Sequence, residues 1–526
     1  MPASLTYPGV YIDELPSGVH TITGVATSIA AFIGWAAQGP TDEAALVESW
    51  GDFQTQFGGL NSNSFLGYSV NQFFANGGQQ AYIVRLVATT QSGTAATATA
   101  PVVAPTTAPV TATTTVNVQI GASNVTPPTT VSYSMDLAAA NPGSWGNCIA
   151  ITVTVPTGSL RFGLQVSFNN SVVEKFVNLS FDSTDPQYVL TVINNDSQYI
   201  TLADAPTKLT TTTATSDATK LKNGVDGTPL SPGDPNFETA LLTTGGTSGL
   251  YLLDRVEIFN LLCVPGETEA STVSTLQMYC ASRRALFIMD APQTIGIPDL
   301  VKNGPSGYTG QYAANSALYF PWVLAADPLF GNRPSLMPPC GFVAGIYGAT
   351  DTSRGVWKAP AGIDAGLSGA LGLQYNLTDD ENGSLNMQGV NCLRNFKAYG
   401  NVVWGARTLL GSDQIGSQWK YVPIRRLALF IESSLFDGTQ WVVFEPNDET
   451  LWGQIRMNVG AFMQGLFLQG AFQGTTPQQA YFVKCDSENN PQSSIDLGIV
   501  NVLVGFAPVY PAEFVVIQIQ QIAGQL

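Results

Sequence analysis

Few side chains in this sequence are suited to acid–base or nucleophilic chemistry. The 526 residues include one histidine, His20, in a proline-punctuated segment near the N terminus. A Ser-His-Asp or Cys-His centre would have to be built around that one imidazole. The sequence also shows no Walker A loop, no HExxH and no CxxC motif, which phosphate and metal sites commonly use. We therefore expect no catalytic residues, no cofactor and no metal, and we expect that the protein is not an enzyme.

Two carboxylate clusters are the remaining candidates for chemistry, because paired carboxylates can hydrolyse glycosides. One is Asp254 with Glu257, and the other is Asp379 with Asp380 and Glu381. Neither cluster lies in a recognisable motif. Solvated charge in a loop or at an edge explains both clusters better than catalysis does.

Basic residues are scarce, which makes the few arginines near the C-terminal end notable: Arg407, Arg425, Arg426 and Arg456. The chain has 21 basic against 38 acidic residues and a formal charge of −17, so phosphate groups of nucleic acids would be repelled. The arginines either pair with acids of the same chain or dock into an acidic groove of a partner. The sequence leaves both possibilities open.

The cysteines and the apolar runs indicate the compartment. None of the six cysteines forms a CxxC pair and most lie in apolar runs, which predicts buried free thiols. The first residues, MPASLTYPGV, have neither the basic nor the apolar region of a signal peptide, and no run of 18 apolar residues occurs. We expect folding in a reducing cytoplasm and no insertion into a membrane.

The periodicity of apolar residues divides the chain into regions. Helix and strand patterns alternate in two separated stretches, which predicts a discontinuous α/β domain. Between them lies a Thr/Ala/Pro-rich segment, either a flexible linker or short exposed strands, followed by period-two strands typical of a small sandwich or barrel and by a Gly/Pro/Thr linker. The predicted regions are an N-terminal arm (1–24), the α/β domain (25–87 and 250–400), an inserted β-rich domain with linkers (88–249), a C-terminal domain (401–509) and a C-terminal arm strand (510–526).

Local patterns predict individual elements within these regions. We expect strands at YVLTVI and GLYLLDRVEIFNLLCVPG, and a helix followed by a strand in RLALFIESSLFDGTQWVVFEPN. Asn447 or Asp448 is suited to cap the next helix, because a side-chain oxygen at that position can accept from the first free amides. GIVNVLVGFAP has the pattern of a strong strand.

Both chain ends carry short apolar strands without an evident partner in the chain. Prolines at positions 8 and 16 cannot donate to a ladder, so the N-terminal segment is an edge strand or lies outside its own sheet. An apolar extended terminus typically adds a strand to another sheet, although packing onto its own domain is the alternative. The expected inter-subunit arm residues are Tyr7, Val10, Tyr11 and Ile12 at one end and Phe514, Val515, Ile517 and Ile519 at the other.

Several blocks of the sequence resemble contractile tail sheath proteins. In chain order they include YPGVYIDELPSGVH, NPGSWGN, ALYFPWV, GVWKAPAG, QWVVFEPN and NVLVGFAPVYPAEFVV. The family comprises sheaths of contractile phage tails, R-type bacteriocins and extracellular contractile injection systems. The resemblance implies an α/β fold, α+β overall, with a subtilisin-like sheath core that lacks proteolytic chemistry. It also implies an inserted β-rich domain, a C-terminal domain that touches an inner tube, and extended N- and C-terminal arm strands.

The resemblance further implies a structural function. The subunit would polymerise as hexameric rings or a helical homopolymer around an inner tube and contract to drive the tube through a target cell envelope. Its partners would be other copies of itself, the inner tube protein, baseplate proteins and terminator or cap proteins. Assembly would occur in a bacterial or archaeal cytoplasm, within a phage tail or a released or cell-anchored particle. Arg456 and Lys484 are the candidate tube-facing residues.

Two other functions compete with this interpretation. A different structural shell, such as a capsid or surface-layer protein, would lack paired terminal arms. A tail-associated glycan hydrolase would need convergent carboxylates in a cleft, for which the sequence offers no motif.

Overall fold

The computed structural model describes residues 20–90, 106–122 and 129–518. The predicted arm residues Tyr7, Val10, Tyr11, Ile12 and Ile519 lie outside this part. The chain divides into two compact units. The sheet unit comprises Ser28–Ala349 and Pro360–Ser417, and the C-terminal unit comprises Met1–Thr27, Thr350–Ala359 and Gln418–Leu526. The five predicted regions are a different division and stay a prediction.

The strands of the described part are β1 (Ala30–Trp35), β2 (Ala45–Val47), β3 (Ala81–Leu86), β4 (Thr113–Ala122), β5 (Thr129–Ala139), β6 (Ile149–Thr154), β7 (Phe162–Phe168), β8 (Ser171–Leu179), β9 (Ile200–Leu202), β10 (Thr207–Lys208), β11 (Thr219–Lys220), β12 (Leu261–Cys263), β13 (Leu286–Asp290), β14 (Ser316–Phe320), β15 (Val323–Asp327), β16 (Arg333–Met337), β17 (Ala370–Leu373), β18 (Val390–Phe396), β19 (Gly400–Val403), β20 (Tyr481–Lys484) and β21 (Leu503–Phe506). The α-helices are α1 (Trp50–Phe57), α2 (Leu66–Ala75), α3 (Val189–Asp196), α4 (Pro235–Leu241), α5 (Ala270–Ser282), α6 (Ile297–Asn303), α7 (Cys340–Arg354), α8 (Asp379–Met387), α9 (Val422–Gly438), α10 (Glu449–Leu468), α11 (Pro477–Ala480) and α12 (Gln492–Asp496).

A mostly parallel sheet forms the centre of the sheet unit. Its eight strands follow the order β19-β18-β14-β13-β12-β1-β3-β2, and only the two edge strands, β19 and β2, run antiparallel to their neighbours. Every residue of β1, β13 and β14 is buried. Parallel sheets are covered on both faces, which is why these strands read as continuous apolar runs in the sequence. The predicted α/β class is confirmed.

Helix α7 packs closely along α2 within the sheet unit, because its contact face carries glycines, which have no side chain to separate the two backbones. A Cβ at Gly341 would lie 2.3 Å from the carbonyl oxygen of Ser69, and one at Gly345 would lie 2.5 Å from that of Phe73. Real side chains do not tolerate such distances to backbone atoms. The spacing of four residues places both glycines on one helix face.

Replacing Gly345 with alanine is expected to lower the free energy of unfolding by about 1–3 kcal/mol, because the methyl group overpacks a backbone contact. Gly460 in α10 is the matched control, since a Cβ there meets nothing within 4 Å. Alanine at Gly460 should stabilise the protein by up to about 1 kcal/mol through helix propensity alone. Urea unfolding of both variants measures the difference. Equal effects of the same sign would contradict the close-packing account.

A second hydrophobic core lies within the inserted region. One sheet follows β10-β5-β4, with β9 also paired to β5, and another follows β11-β6-β7-β8. Strands β4 and β5 contribute buried Val116, Val118 and Leu137 to this core. The prediction of a linker or of short exposed strands at 88–135 was therefore wrong for β4 and β5, which are two long, half-buried strands.

Three other local predictions were wrong. YVLTVI belongs to helix α3, whose Val189 and Ile193 are buried four residues apart. The expected linker at 227–249 contains α4, whose Phe237 and Leu241 are fully buried in the core of the sheet unit. Asp234 caps that helix and Pro235 begins it, a start signal that the composition of the segment obscured. The start of GLYLLDRVEIF forms a 3₁₀ turn from Gly249 to Arg255, with only Leu261–Cys263 of this stretch in a strand.

The C-terminal unit is built on α9 and α10. The predicted cap of α10 is confirmed, since the Asp448 side chain accepts from the Leu451 amide at 3.0 Å. The strand expected after α9 is absent from the described residues, where Gln440–Val442 form a 3₁₀ turn. The strand expected across GIVNVLVGFAP is reduced to β21, which pairs antiparallel with β20. Among the described residues, no helix is both long and apolar enough to cross a membrane.

Candidate assembly surface in the C-terminal unit

The side chains that first suggested chemistry have structural partners. The ring of His20 stacks on Trp441 with centroids 4.2 Å apart, and the backbone amide of His20 donates to Asn458 at 3.1 Å. Both contacts lie within the C-terminal unit. They explain the one histidine as a packing residue that holds the incoming chain onto α10.

Three of the five carboxylates in the two clusters have structural partners in the sheet unit. Asp254 accepts from the Tyr279 hydroxyl at 2.8 Å. Asp379 pairs with Arg394 at 2.7 Å. Glu381 accepts from the Thr378 amide at 2.8 Å in a capping box, which holds the pKa of Glu381 below its usual range. Among the described residues, no three His, Cys, Asp or Glu side chains are placed to hold a metal ion.

The arginines pair within their own chain. Arg426 makes two bonds to Asp351, at 2.6 and 2.8 Å, and both side chains are only 3% exposed. Arg407 is completely buried and reaches Asp413 at 3.0 Å. Arg425 lies 3.4 Å from Glu432. Of the two possibilities that the sequence left open, the structure favours intramolecular pairing for these three.

Arg456 and Lys484 were predicted to face an inner tube. Arg456 bonds Glu449 at 2.6 Å and also donates to the Cys485 carbonyl, while Lys484 pairs with Glu488. Their side chains are 34% and 36% exposed. Both are accessible at the surface of the C-terminal unit, but each already has an acidic neighbour. Their role as tube contacts stays a prediction.

All six cysteines are free, as predicted. Five are buried, and Cys148 is the exposed exception. Burial raises the pKa of Cys392 to about 12, so its thiol stays protonated. The buried cysteines therefore act as small apolar side chains.

The sheet of the C-terminal unit has unfilled edges. Strands β20 and β21 form a two-stranded antiparallel sheet, and within the described residues neither has a second neighbouring strand. Phe482 and Leu503, one from each strand, are both 53% exposed. Two-stranded sheets are marginally stable in water, and their open edges are templates for another strand. This sheet can therefore accept further strands.

The C-terminal segment supplies what such a sheet lacks. Phe514, Val515 and Ile517 are 75%, 81% and 80% exposed, and residues 511–518 form no strand or helix. The segment is tied to the start of α9, because the Tyr421 hydroxyl donates to Glu513 at 3.0 Å. Beyond that anchor the apolar side chains have no cover among the described residues. A β-branched, apolar and unpaired segment is suited to add to a sheet elsewhere.

Phe444 is a prominent surface group that was not predicted from the sequence. Phe444 is fully exposed and has a φ of 72°, a left-handed conformation that bulky residues rarely adopt. Its run, WVVFEPN, was assigned to a buried strand because aliphatic and aromatic residues usually signal one. The Pro446-Asn447 pair that follows was the available signal for a turn.

A cavity of about 490 Å³ opens in the sheet unit at the carboxyl ends of parallel strands, where α/β folds commonly bind ligands. Gly266, Gln293 and Trp322 line it just after β12, β13 and β14, together with Phe65 and Asp327. The lining contains no histidine, cysteine, lysine or arginine. Its lining does include the Tyr68 hydroxyl, which donates to Asp327 at 2.9 Å.

Comparisons with known proteins identify the family to which the chain is similar. Residues 252–409 match the family of the phage tail sheath protein central domain, and residues 414–522 match the phage tail sheath C-terminal domain, so the two matches together cover half of the chain. A putative prophage major tail sheath protein of Pseudomonas aeruginosa (strain UCBPP-PA14) is 27% identical over 278 residues, 51% of this chain and 68% of that protein. The tail sheath protein of Vibrio phage KVP40 is 27% identical over 169 residues, 32% of this chain but only 24% of that protein.

The fold has a full-length counterpart among solved structures. The sheath complex of an extracellular contractile injection system, PVC, in its contracted state aligns with a TM-score of 0.58 and 23% identity. The alignment covers 99% of this chain and 98% of that one. At this identity the match establishes the fold. Together with the two family matches, it shows that the chain belongs to the phage tail sheath protein family.

Proposed function

We propose that this chain is the structural subunit of a contractile sheath, which polymerises helically around an inner tube and contracts by subunit rearrangement. Tail sheath proteins are structural, and the fold is that of a contractile sheath. The observation that carries the proposal is the pairing of two incomplete features in one unit, an open two-stranded sheet and an uncovered apolar terminal segment.

The terminal segment of one copy extends the β20–β21 sheet of another. A segment that leaves one subunit and enters the next is a head-to-tail contact, which produces rings or helical filaments rather than closed dimers. The N-terminal arm, residues 1–24, is proposed to add a second strand in the same way. Such strand exchange joins each subunit to sheets in its neighbours through backbone hydrogen bonds and buried apolar side chains.

The energy of this exchange comes from two sources. Each new backbone hydrogen bond contributes about 0.5–1.5 kcal/mol net. Full burial of a side chain such as Phe514 or Ile517 adds about 1.5–3 kcal/mol. Several such bonds and side chains per arm suffice to hold subunits together while rigid units reorient during contraction.

The remaining partners follow from the same proposal. An inner tube lies inside the polymer, baseplate proteins start it and a terminator or cap protein ends it. The particle is a phage tail or a released or cell-anchored injection machine, assembled in the cytoplasm of a bacterium or archaeon. Contraction proceeds by repacking of folded subunits, so no nucleotide is consumed and no nucleic acid is bound.

Electron microscopy of the purified full-length chain tests the proposed function. Hollow tubes with a cogwheel cross-section are expected, with or without an inner tube protein present. Closed shells or flat two-dimensional arrays would instead indicate a capsid or surface-layer protein. Hydrolysis of cell-wall glycan by a chain that stays monomeric would favour the glycan hydrolase.

Charge reversal tests the tube-facing residues. Replacing Arg456 and Lys484 with glutamate is expected to reduce co-sedimentation with the inner tube protein, because two exposed cations become anions beside Glu449 and Glu488. Lys302→Glu, an exposed lysine of the sheet unit, is the control and should leave co-sedimentation unchanged. Equal co-sedimentation of the double variant and wild type would remove both residues from the tube contact.

A further inference from the structure

Two carboxyl groups in the sheet unit, that of buried Glu267 and that of half-buried Glu238, lie close to each other. Glu238 lies on α4, and Glu267 lies in the turn that follows β12. The Glu267 side chain is 0% exposed. The two carboxyl groups are within hydrogen-bonding reach of each other. Buried charges are normally paired with an opposite charge, so this arrangement needs an explanation.

One oxygen of each carboxyl group is already satisfied. The Thr272 hydroxyl donates to Oε2 of Glu238, and the Glu269 amide donates to Oε1 of Glu267 at 2.6 Å. The other two oxygens, Oε1 of Glu238 and Oε2 of Glu267, are buried and receive no hydrogen bond from any described residue. Two acceptors that face each other cannot bond unless one carries a hydrogen.

Within the part of the chain that the structure describes, none of the groups that act on Glu267 is positively charged. The groups that act on Glu267 are the carboxyl group of Glu238 and the backbone amides of Thr268 and Glu269. The nearby Tyr308 hydroxyl donates to the Thr268 carbonyl at 2.9 Å, and its pKa is raised by burial and then by the charges of Glu269 and Glu267. Asp290 accepts from the Gly266 amide at 2.9 Å, and Asp234 caps α4. All of these titratable groups are acids, so a second negative charge would be repelled.

We propose that Glu238 and Glu267 share one proton and form a clasp that holds helix α4 on the core of the sheet unit, so that the helix is held less tightly as the pH rises and the proton is lost. Helix α4 is the segment by which the chain returns from the inserted β-rich region, and it is fixed otherwise through buried Phe237 and Leu241. The clasp makes the attachment of this segment sensitive to pH.

The direction of the pH dependence follows from the raised pKa of Glu267. Burial, and then the Glu238 carboxylate, raise the pKa of Glu267 from 4.5 to about 8. When α4 leaves the core, Glu267 returns to its ordinary pKa and releases the proton. The clasp is therefore complete below about pH 4.5 and is lost as the pH rises through about 8. In that window the opening constant of α4 increases by up to about tenfold per pH unit.

Hydrogen exchange of the full-length chain tests the clasp. Between pH 6 and pH 8, after correction for the intrinsic rate of amide exchange, the opening constant of the α4 amides should rise by up to about 100-fold in wild type. In Glu267→Gln the amide donates to Glu238 at every pH, so the opening constant should stay constant across this range. If that variant does not fold, Glu238→Gln makes the same prediction, because its amide donates to Glu267.

Two controls separate the clasp from other causes. Glu381→Gln removes an exposed carboxylate of the same unit and should leave the wild-type slope of α4 unchanged. The same slope in Glu267→Gln and wild type would overturn the proposal. Loss of α4 protection at pH 6 on addition of a metal chelator would also overturn it, because a cation rather than a proton would then bridge the carboxylates.

Discussion

A chain that ends at Val509 is expected to fold normally but to form no tubes. The deletion removes residues 510–526, whose apolar side chains are exposed at 75–81% at positions 514–517 and have no sheet among the described residues. The described helices and strands of both units remain, since each of these ends before Tyr510. The strand proposed to enter a neighbouring subunit is lost, together with the hydrogen bond from Tyr421 to Glu513. Electron microscopy should show tubes for the full-length chain and none for the shortened one.

A full-length variant separates strand pairing from chain length. Val515→Asp with Ile517→Asp keeps every residue but places two charges on one face of the proposed strand, where burial would cost several kcal/mol. This variant should also fail to form tubes. Gln518→Asp adds a charge to an already polar, exposed position and should assemble. Normal tubes from the shortened chain would show that the C-terminal segment does not join the subunits.

Replacing Asp351 with alanine is expected to destabilise the C-terminal unit by about 3–5 kcal/mol. The change removes the Asp351 carboxylate from the buried guanidinium of Arg426, whose side chain is only 3% exposed. Removing one partner of a buried ion pair costs this much because the remaining charge is not solvated. The Thr27 carbonyl, which also accepts from Arg426 at 2.8 Å, cannot neutralise it.

The matched control is Asp379→Ala, which breaks an ion pair of similar length on the surface. Arg394 and Asp379 lie 2.7 Å apart, but Asp379 is 91% exposed. Its loss should cost at most about 1 kcal/mol, because water replaces the partner. Hydrogen exchange of α9 for Asp351→Ala, and of α8 for Asp379→Ala, measures each loss locally. If Asp351→Ala loses no more stability in α9 than Asp379→Ala loses in α8, burial does not set the strength of these ion pairs.

The α/β class could be predicted because the strands of the central sheet carry their own signal. Segments such as AAFIGW and LFIMD are apolar at every position, and only a strand covered on both faces accommodates that. Prediction failed where propensity and packing disagree. YVLTVI is rich in β-branched residues yet forms α3, because Val189 and Ile193 bury one helical face. The aliphatic run before Phe444 ends in a turn, whose signal in the sequence is weaker than the strand signal of the aliphatic and aromatic residues.

The assembly surface was half predictable. The arm residues stand out in the sequence, because apolar strands interrupted by proline have no place in their own sheet. The sheet that would accept them does not stand out in the sequence. Its open edges are visible only once the pairing of β20 and β21, and the lack of further paired strands among the described residues, is known. The shared proton of Glu238 and Glu267 lies beyond sequence patterns for the same reason, because the two residues meet only through the packing of α4 on the core.

The most direct test of the account is a helical reconstruction of assembled tubes at a resolution that traces individual strands. The account predicts that β20 and β21 lie within a larger sheet, with Phe514–Ile517 of another copy forming one of its added strands. A tube in which β20 and β21 remain a two-stranded sheet, with residues 510–526 folded onto their own subunit, would contradict the central claim that exchanged strands join the subunits.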